Sequence, residues 1–459
     1  MARRTMRIAA ALVLLLGVVF ISSDTTSAAV RPPKFQYDIS TLPNGLTVVL
    51  SEDHSTPIVH VQLWYHVGSK NERPGRTGFA HLFEHLMFKG SKNLRPEEHT
   101  SLISSVGGLS NAYTEEDSTV FWETLPAQYL PLALWLEADR MATLRIDRDT
   151  FVAEREVVKE ERRLRIDNQP YGSLNEILYD QAFTTHPYKH PTIGSMLDLE
   201  AASVDDVRDF YQTYYVPENC TIVIVGDFDT PQAKQLVEQY LGRVPKAAKP
   251  VPRDIPQEPL QTAERRVTLQ EPWPLPVVIV AHHVTYDGNP DSYPLHIAAK
   301  VLTDGESARI YRKLVYEKQM AVAAFGQANL IEDPNLFYCV AVVQPGHKTE
   351  EVADALIAEL DRLKDEPISD HELQRAKNQF ARDYIVGRES DQDKALQLGH
   401  AVVIHRDITR ADGEFDIFQN MTAAEVQRVA RTYFTAQNRL VLTLLPSGSG
   451  RPENAPESH

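Results

Sequence analysis

The chain has 459 residues, which is too many for one ordinary hydrophobic core, so two or more domains are expected. Hydrophobic residues make up 42% of the chain and charged residues 24%, as is usual for a soluble globular protein. The formal net charge of −16 argues against nucleic acid as the main partner, because nucleic-acid-binding surfaces are basic.

Residues 1–28 have the layout of a secretory signal peptide. Three arginines among the first seven residues precede an apolar run from 8 to 21, and residues 26–28 read Thr-Ser-Ala, a small-residue cleavage site. The apolar run is short for a bilayer span, and an uncleaved anchor is the alternative. We therefore expect a mature chain, starting near Ala29, that is exported to the periplasm or the extracellular space and has no stable membrane span.

Two strands and a helix are the next predicted elements. Residues 46–50 and 59–65 are rich in β-branched and aromatic residues and are predicted as an early pair of strands. A helix follows, for which Thr77 is a suitable N-cap and Gly90 a suitable C-cap.

The predicted helix carries the sequence His81-Leu-Phe-Glu84-His85. The two histidines lie one turn apart on the same helical face, so both imidazoles can reach one metal ion. Glu84 lies beside them and can hydrogen-bond a water molecule at the metal without itself being a ligand. This order of residues needs a third protein ligand from another element.

A second helix, predicted at residues 150–164 and capped by Thr150, offers that ligand. Its inward face carries Glu154, Val157, Val158 and Glu161. The opposite face, expected to be solvated, carries Glu156, Lys159 and Arg163. Two carboxylates on a buried face need a cationic partner. Glu160 is offset from the inward face, so periodicity favours Glu161 as the third ligand, with Glu154 orienting a ligand or the water.

One sequence pattern occurs twice, at residues 203–224 and 422–443. Each copy starts with an N-cap, Ser203 or Thr422, continues as a helix, turns near Asn219 or Asn438, and enters a β-branched strand. Five prolines between 245 and 259 mark a semi-rigid linker.

We therefore predict two homologous domains, at residues 36–245 and 262–446, joined by a linker at 246–261 and followed by a disordered tail at 447–459. The order of strands and helices predicts an α+β fold, in which each domain is a mostly antiparallel sheet packed with helices. Cys220 and Cys339, the two cysteines of the chain, are expected to be buried free thiols rather than a disulfide.

Several of these runs together resemble the pitrilysin/insulinase family of inverzincin metallopeptidases, in the short-chain bacterial form that is similar to processing-peptidase subunits. The runs are His81 to Gly90, Gly107 to Thr114 and Glu154 to Glu161. The resemblance implies one Zn²⁺ per chain with His81, His85 and Glu161 as ligands. It implies Glu84 as the general base and Glu154 as an additional acidic residue. It also implies that the strand Asn111-Ala112-Tyr113 binds peptide substrate, and that the chain is one half of a clam-like enzyme.

The second domain departs from the family pattern. His296 matches His81, but Ala299 and Lys300 stand at the positions of the base and the second ligand, so this domain is expected to bind no metal. Active members carry an Arg and a Tyr, seven residues apart, in the half opposite the zinc, where Val315 and Val322 stand here. The resemblance thus implies a homologous partner subunit that supplies the Arg/Tyr pair in a heterodimer, with a homodimer as the less favoured arrangement.

Arg309, Arg312 and Tyr316 lie close to these valines and could supply the pair if the alignment is shifted. The favoured function is that of an exported zinc endopeptidase acting on peptides or unfolded segments. The alternative is a non-catalytic or partner-dependent scaffold subunit of a heteromeric peptidase. Targeting to an organelle is disfavoured, because the N-terminal run is not amphipathic.

Overall fold

The computed structural model describes residues 31–447. The predicted signal peptide, residues 1–28, lies outside the described residues, and so does all but the first residue of the predicted tail, 447–459. No helix between residues 31 and 447 is long and apolar enough to cross a lipid bilayer.

The first half of the chain forms a six-stranded sheet. Its strands are β1 (Asp38–Thr41), β2 (Thr47–Glu52), β3 (Ile58–Tyr65), β4 (Leu109–Thr114), β5 (Thr119–Pro126) and β6 (Cys220–Gly226). They lie in the order β1-β2-β6-β3-β5-β4, and within this sheet only β2 and β6 are parallel. The prediction that β2 and β3 form a direct pair is wrong. The returning strand β6, in which every residue is buried, lies between them at the centre of the sheet.

The first half has eight helices of six or more residues within the described residues, and all except α5 lie with one face of this sheet. They are α1 (Phe79–Leu86), α2 (Glu98–Ser105), α3 (Leu130–Thr143), α4 (Arg148–Arg162), α5 (Leu174–Ala182), α6 (Met196–Ala201), α7 (Val204–Tyr214) and α8 (Thr230–Tyr240). Leu63 and Ile222 of the sheet are fully buried in one apolar cluster with Phe83 of α1 and Val158 of α4. The two helices with the predicted metal ligands are therefore anchored to the same core.

The second half repeats this plan with a five-stranded sheet. Its strands are β7 (Arg265–Glu271), β8 (Val277–His283), β9 (Ala321–Ala328), β10 (Leu336–Val343) and β11 (Arg439–Pro446). Their order is β7-β11-β8-β10-β9, with β7 and β11 parallel and the other pairs antiparallel. The helices are α9 (Ser292–Leu302), α10 (Thr349–Asp365), α11 (Asp370–Val386), α12 (Asp391–Val403), α13 (Arg410–Asn420) and α14 (Ala423–Tyr433). The predicted α+β class is confirmed.

The repeated sequence pattern forms the same structure in both halves. The hydroxyls of Ser203 and Thr422 each accept a hydrogen bond from the third backbone N–H of their helix, in a reciprocal capping box. The side-chain amides of Asn219 and Asn438 each donate to the carbonyl at the end of that helix, at 2.8 and 2.9 Å. Both predicted N-caps are thus confirmed, and each asparagine joins a helix to the strand that follows it.

Each half of the chain covers the open face of the other half's sheet. Leu398 and Ala395 of α12 pack on Trp64 and Val223 of the first sheet. In the same way, Leu178 and its neighbours on α5 pack on Ile279 and Leu442 of the second sheet. Each half therefore contributes a helix to the hydrophobic core on the open face of the other half's sheet.

Gly399 makes the closest approach in this shared packing. A Cβ atom at this position of α12 would lie 2.2 Å from Nε1 of the buried Trp64 and 2.4 Å from its Cε2. We expect Gly399→Ala to lower the free energy of unfolding by about 1–3 kcal/mol, because overpacking displaces the indole or the helix. Urea denaturation of the purified variant measures this loss.

Gly413 provides the matched control for that variant. It lies within α13, and nothing stands within 4 Å of the position that its Cβ would take. Gly413→Ala is expected to leave stability unchanged or to raise it by up to about 1 kcal/mol, because alanine is the better helix former. If both variants unfold at the wild-type urea concentration, the close packing of α12 on Trp64 is contradicted.

A buried ion cluster also joins the two halves. The ammonium of Lys70 lies 2.8 Å from Asp117, 2.8 Å from Glu332 and 2.9 Å from Asp333, and its side chain is only 6% exposed. The hydroxyl of Tyr188 donates to Asp117 at 2.6 Å. Because Glu332 and Asp333 belong to the loop between β9 and β10, the cluster holds that loop against the first half.

The proline-rich segment 246–261 contains no helix or strand, and side-chain contacts hold it in place. Its Glu258 carboxylate accepts hydrogen bonds from the backbone N–H groups of Thr184, Thr185 and His186 at 2.8–2.9 Å. Arg253 donates to the side chain of Asn219 at 2.5 Å. The segment is thereby bonded to the first half.

Cys220 and Cys339 lie in different sheets, on β6 and β10. Both are buried and unpaired, which confirms the prediction of free thiols.

Candidate metal centre

The helix with the two histidines, α1, starts at a different residue from the one predicted. Its N-cap is Gly78, at φ +86°, and a Cβ there would lie 2.6 Å from the carbonyl oxygen of Ile193. Thr77, the predicted N-cap, donates its hydroxyl to Asp198 instead, at 2.5 Å. The free N–H groups of Gly78 and Ala80 donate to the buried carboxylate of Glu72, at 2.8 and 2.7 Å. A carboxylate from a preceding loop therefore replaces the expected threonine cap.

The helix also ends earlier than predicted, at Leu86, so Gly90 is not its C-cap; Met87 is. Leu82, Phe83 and Leu86 are fully buried on the core side of α1. The ring of Phe83 lies 4.0 Å from that of Tyr215, centroid to centroid. This apolar anchoring fixes the rotation of the helix and leaves His81, Glu84 and His85 on the opposite, partly exposed side.

The second helix, α4, begins at Arg148, and the prediction that Thr150 caps it is wrong. Its N-cap is Asp147, whose carboxylate accepts a hydrogen bond from the backbone N–H of Thr150 at 2.9 Å. Aspartate caps helices as well as threonine does, and the apolar periodicity alone could not distinguish these two starts.

The inward face of α4 is narrower than predicted. Glu154 and Val158 are buried and the Glu161 side chain is 15% exposed, but Val157 is 48% exposed. On the face expected to be solvated, Lys159 is buried, and its ammonium lies 3.1 Å from Glu156 and 3.2 Å from Glu200. The reason is that α6, which carries Glu200, packs against this side of α4.

Packing of α1 on α4 brings the three predicted ligands together. Nε2 of His85 lies 3.3 Å from Oε2 of Glu161, and Nε2 of His81 lies 3.7 Å from the same oxygen. One ligand atom from each residue lies within 4.8 Å of the other two. The imidazole rings are 4.9 Å apart at an interplanar angle of 77°.

Other charged side chains surround these three residues. Oε2 of Glu154 lies 3.6 Å from Nδ1 of His85, on the side of the ring away from Glu161, and its Oε1 lies 3.2 Å from the ammonium of Lys89. The guanidinium of Arg165 lies 2.6 Å from the second oxygen of Glu161. Glu154 is thus placed to orient His85, and Arg165 to orient Glu161.

The surrounding residues shift the pKa values of His81 and His85 in opposite directions. Burial lowers the pKa of His81 to about 3, and the charge of His85 adds to this effect. Burial also acts to lower the pKa of His85, but the neighbouring carboxylates of Glu154, Glu161 and Glu84 outweigh it and raise that pKa. His81 is therefore neutral at pH 7, with a nitrogen lone pair available to a metal ion.

Glu84 lies beside the ligands rather than among them. Burial raises its pKa above the ordinary value, and the charge of Glu161 adds to the rise. The hydroxyl of Thr114 opposes it by donating to Oε2 of Glu84, at 2.6 Å. A carboxylate with a raised pKa, held in place by one hydrogen bond, has the properties of a general base near neutral pH.

The three ligand residues fit a zinc ion. Two imidazole nitrogens and one carboxylate oxygen are a donor set that Zn²⁺ takes in catalytic sites, with the fourth position left to water or substrate. A ligand imidazole must be neutral: the low pKa of His81 meets this requirement, whereas the raised pKa of His85 means that metal binding would displace a proton from His85.

The predicted substrate strand lies at the edge of the first sheet. β4 pairs with β5 on one side, and it is the last strand of the sheet order. Asn111 is exposed, Ala112 and Tyr113 are half-buried, and the N–H of Ala112 donates to the side chain of Asn111 at 2.9 Å. Since Thr114 ends β4 and bonds Glu84, the edge strand leads directly to the candidate base.

Sequence reasoning assigned no role to Thr114, Lys89 or Arg165. Lys89 lies beyond the end of α1, so helical spacing from His85 does not place it beside Glu154. The bond between Thr114 and Glu84 depends on how β4 meets α1, which has no local signature.

A cavity of about 520 Å³ opens beside the ligands. The first half contributes His81, Glu161 and Tyr179 to its lining, and the second half contributes Gln327, Asn329 and Tyr338. The side-chain amide of Asn329 donates to the hydroxyl of Tyr179 at 2.5 Å, which joins the two sides. Both halves of the chain therefore shape the space next to the candidate centre.

The second half has an ion pair where the first has its candidate ligands. Lys300, on α9, lies 2.9 Å from the carboxylate of Asp383, on α11. Asp383 follows the N-cap of its helix by the same number of residues as Glu161 follows Asp147. A lysine and an aspartate therefore occupy the positions that correspond to His85 and Glu161.

The residues that stand for the family's Arg/Tyr pair lie near β9. Val315 is half-buried against the second core, and Val322 is 45% exposed. Of the neighbouring candidates, Arg309 is paired with Glu372, to whose carboxylate it donates two hydrogen bonds of 2.7 and 2.9 Å. Arg312 and Tyr316 are exposed, with a side-chain exposure of 62% for Arg312 and an overall exposure of 77% for Tyr316.

Family models match both halves of the chain. Residues 47–196 match the model for insulinase (peptidase family M16), and residues 201–380 match the model for the peptidase M16 inactive domain. Zinc protease PqqE of Helicobacter pylori is 30% identical over 94% of this chain and 98% of its own length. The beta subunit of the mitochondrial-processing peptidase of Saccharomyces cerevisiae is 25% identical, over 79% and 81%.

Solved structures share the fold. A protease from Helicobacter pylori superimposes with a TM-score of 0.86 at 31% identity, over 90% of this chain and all of that one. The periplasmic protease PqqL of Escherichia coli matches with a TM-score of 0.73 at 18% identity, over 90% of this chain and 48% of the other. The sequence similarity along nearly the whole chain shows that it belongs to the pitrilysin/insulinase (M16) family of metallopeptidases.

Proposed function

We propose that this chain is a zinc-dependent endopeptidase that hydrolyses peptides or unfolded polypeptide segments. The observation that carries the proposal is the convergence of His81, His85 and Glu161 with the carboxylate of Glu84 beside them. The names of its relatives, which include zinc proteases, support zinc as the metal. We propose one Zn²⁺ per chain at this centre.

The residues of the centre have distinct roles in hydrolysis. His81, His85 and Glu161 would hold the zinc ion, which would supply the Lewis acidity that lowers the pKa of a water molecule and polarises the scissile carbonyl. Glu84 accepts a proton from the attacking water and passes it to the leaving amine nitrogen. Thr114 holds the carboxylate of Glu84 in place, and Glu154 holds the ring of His85.

The substrate binds as an additional strand on β4. Backbone groups of Asn111, Ala112 and Tyr113 lie on the free edge of the sheet, so an extended peptide can pair with them. Main-chain hydrogen bonds give affinity with little dependence on side chains. The expected preference is therefore for extended or unfolded segments rather than for one sequence.

Full activity is proposed to need a homologous partner subunit. Val315 and Val322 have no side-chain donor, so this chain lacks the groups that would bind the substrate backbone from the opposite half and stabilise the oxyanion. In the PqqL structure this fold accounts for about half of a longer chain. A heterodimer is favoured over a homodimer, in which exposed Arg312 and Tyr316 would have to take the missing roles.

The same valines support the second candidate function, a non-catalytic or partner-dependent scaffold subunit. The complete set of ligands and base in the first half favours catalysis over this alternative. We propose an exported, periplasmic or extracellular location, supported by the signal-like residues 1–28 and by the similarity in fold to PqqL, which is a periplasmic protease.

Peptide cleavage by the mature chain, alone and mixed with homologous subunits from the same compartment, tests the proposal. We expect a chelator to abolish cleavage and added Zn²⁺ to restore it. We further expect the mixture to exceed the single chain by roughly 10²-fold or more, because one missing oxyanion donor costs about that much. Full activity of a purified homodimer would refute the requirement for a partner, and chelator-resistant cleavage would refute zinc dependence.

A further inference from the structure

A second group of side chains that could hold a metal ion lies in the second half of the chain. His400 is near the end of α12, His405 follows that helix, and Asp287 lies in the loop after β8. Nε2 of His405 is 2.9 Å from Oδ2 of Asp287, and Nε2 of His400 is 3.4 Å from the same oxygen. Ligand atoms of the three residues all lie within 4.8 Å of one another.

The geometry of this group matches that of the candidate zinc centre. The two nitrogen–oxygen distances are 2.9 and 3.4 Å here, against 3.3 and 3.7 Å there. The rings of His400 and His405 are 4.9 Å apart at 80°, against 4.9 Å and 77° for His81 and His85. The 2.9 Å contact between His405 and Asp287 is a hydrogen bond, which a bound ion would replace.

One carboxylate oxygen faces both histidines. Oδ2 of Asp287 is the atom nearest Nε2 of His400 and Nε2 of His405, so an ion between them would be held by one oxygen and two ring nitrogens. The neighbouring guanidinium of Arg410 donates through one nitrogen to the carbonyl of Gly288 and the hydroxyl of Tyr293.

The two histidines differ in exposure in a way that suits uptake of an ion. The His405 side chain is only 4% exposed, and its Nδ1 has no hydrogen-bond partner within the described part of the chain. The His400 side chain is 42% exposed, so solvent reaches the group from that side. Water can thus fill the remaining coordination positions, which makes the site open and exchangeable.

We propose that Asp287, His400 and His405 form a second site for a divalent transition-metal ion, one that binds more weakly than the zinc centre. Two imidazoles and one carboxylate select borderline ions such as Zn²⁺ or Ni²⁺ over Ca²⁺ and Mg²⁺, which prefer oxygen ligands. The ion fastens α12, which covers the first sheet, to a loop of the second sheet. All three residues belong to the second half of the chain, so the ion would join α12 to a loop of its own half, away from Lys300, which stands at the position of His85.

Metal counting on the full mature chain tests this site. Protein stripped with a chelator is dialysed against excess Zn²⁺, and bound zinc is measured by mass spectrometry. The wild type is expected to bind two ions, while His85→Ala and His400→Ala each bind one and the double variant binds none. His347→Ala is the matched control, because His347 is also a half-exposed histidine near a carboxylate, 3.9 Å from Glu351, and it should keep two.

Melting temperature provides a second readout that does not depend on peptide cleavage. Added Zn²⁺ should raise the melting temperature of His85→Ala, in which only the second site remains, and should not raise that of the double variant. If His85→Ala does not fold, Glu161→Gln takes its place as the variant with an impaired zinc centre. A wild type that binds one ion, or a His400→Ala variant that still binds two, would overturn the proposal. Neither result would bear on whether the zinc centre cleaves peptides.

Discussion

Glu84→Gln is expected to retain its zinc and to lose peptide hydrolysis by roughly 10²–10⁴-fold, the usual contribution of a positioned general base. Glutamine has nearly the same shape and can still bond Thr114, but it cannot accept the proton of the attacking water. The ligands His81, His85 and Glu161 are untouched, so metal content should stay at the wild-type value. Steady-state cleavage of an unstructured peptide, with zinc measured on the same sample, checks both expectations.

Glu160→Gln is the matched control for this substitution. Glu160 is on α4, its side chain is 56% exposed, and it pairs with Arg163 at 3.0 Å, away from the ligands. Its change should leave cleavage within about twofold, since exposed ion pairs contribute little. Wild-type turnover by Glu84→Gln would remove Glu84 from the mechanism, whereas loss of zinc would mean that Glu84 is a ligand.

The first half of the chain, residues 36–245, is expected not to fold by itself. Without α12 the open face of its sheet would expose five buried apolar side chains, which are Val49, Trp64, Val120, Val223 and Val225. Each large apolar side chain contributes about 1.5–3 kcal/mol when buried, so the loss is on the order of 10 kcal/mol. That is comparable with the whole stability of a typical domain, about 5–15 kcal/mol.

Circular dichroism and gel filtration of the separate fragment measure this effect. The fragment should aggregate or unfold without a cooperative transition, and co-expression with residues 262–447 should restore a folded complex, because α12 is then supplied in trans. A fragment 36–245 that is monomeric and unfolds cooperatively would contradict the reciprocal covering of the two sheets.

Much of the centre could be predicted from local sequence. The spacing of His81, Glu84 and His85 is enough to place them on one side of a helix, and the 3.6-residue period of α4 separates Glu161 from Glu160. Local patterns also predict the N-caps Ser203 and Thr422, because a cap and the backbone N–H that it accepts from are three residues apart.

Features that depend on contacts between distant segments could not be predicted. Thr77 was predicted as a helix cap, but its hydroxyl donates a hydrogen bond to Asp198. The free backbone N–H at the start of the helix donates to the carboxylate of Glu72 instead. Lys159 looks like a solvated residue, but α6 covers it. The period of a helix tells which residues share a face, not how many neighbouring elements pack around it.

The group of Asp287, His400 and His405 shows the same limit. More than a hundred residues separate the aspartate from the histidines, and the two histidines are not at helical spacing. Their proximity depends on how the end of α12 meets the loop after β8, a long-range contact that has no local sequence signature.

Anomalous diffraction from crystals of the mature chain, recorded on both sides of the zinc absorption edge, tests the central claim most directly. We predict an anomalous peak about 2.0–2.2 Å from Nε2 of His81, Nε2 of His85 and a carboxylate oxygen of Glu161, the usual zinc–ligand distances. Crystals grown with zinc that show no peak at these three residues would contradict the assignment of a zinc peptidase centre.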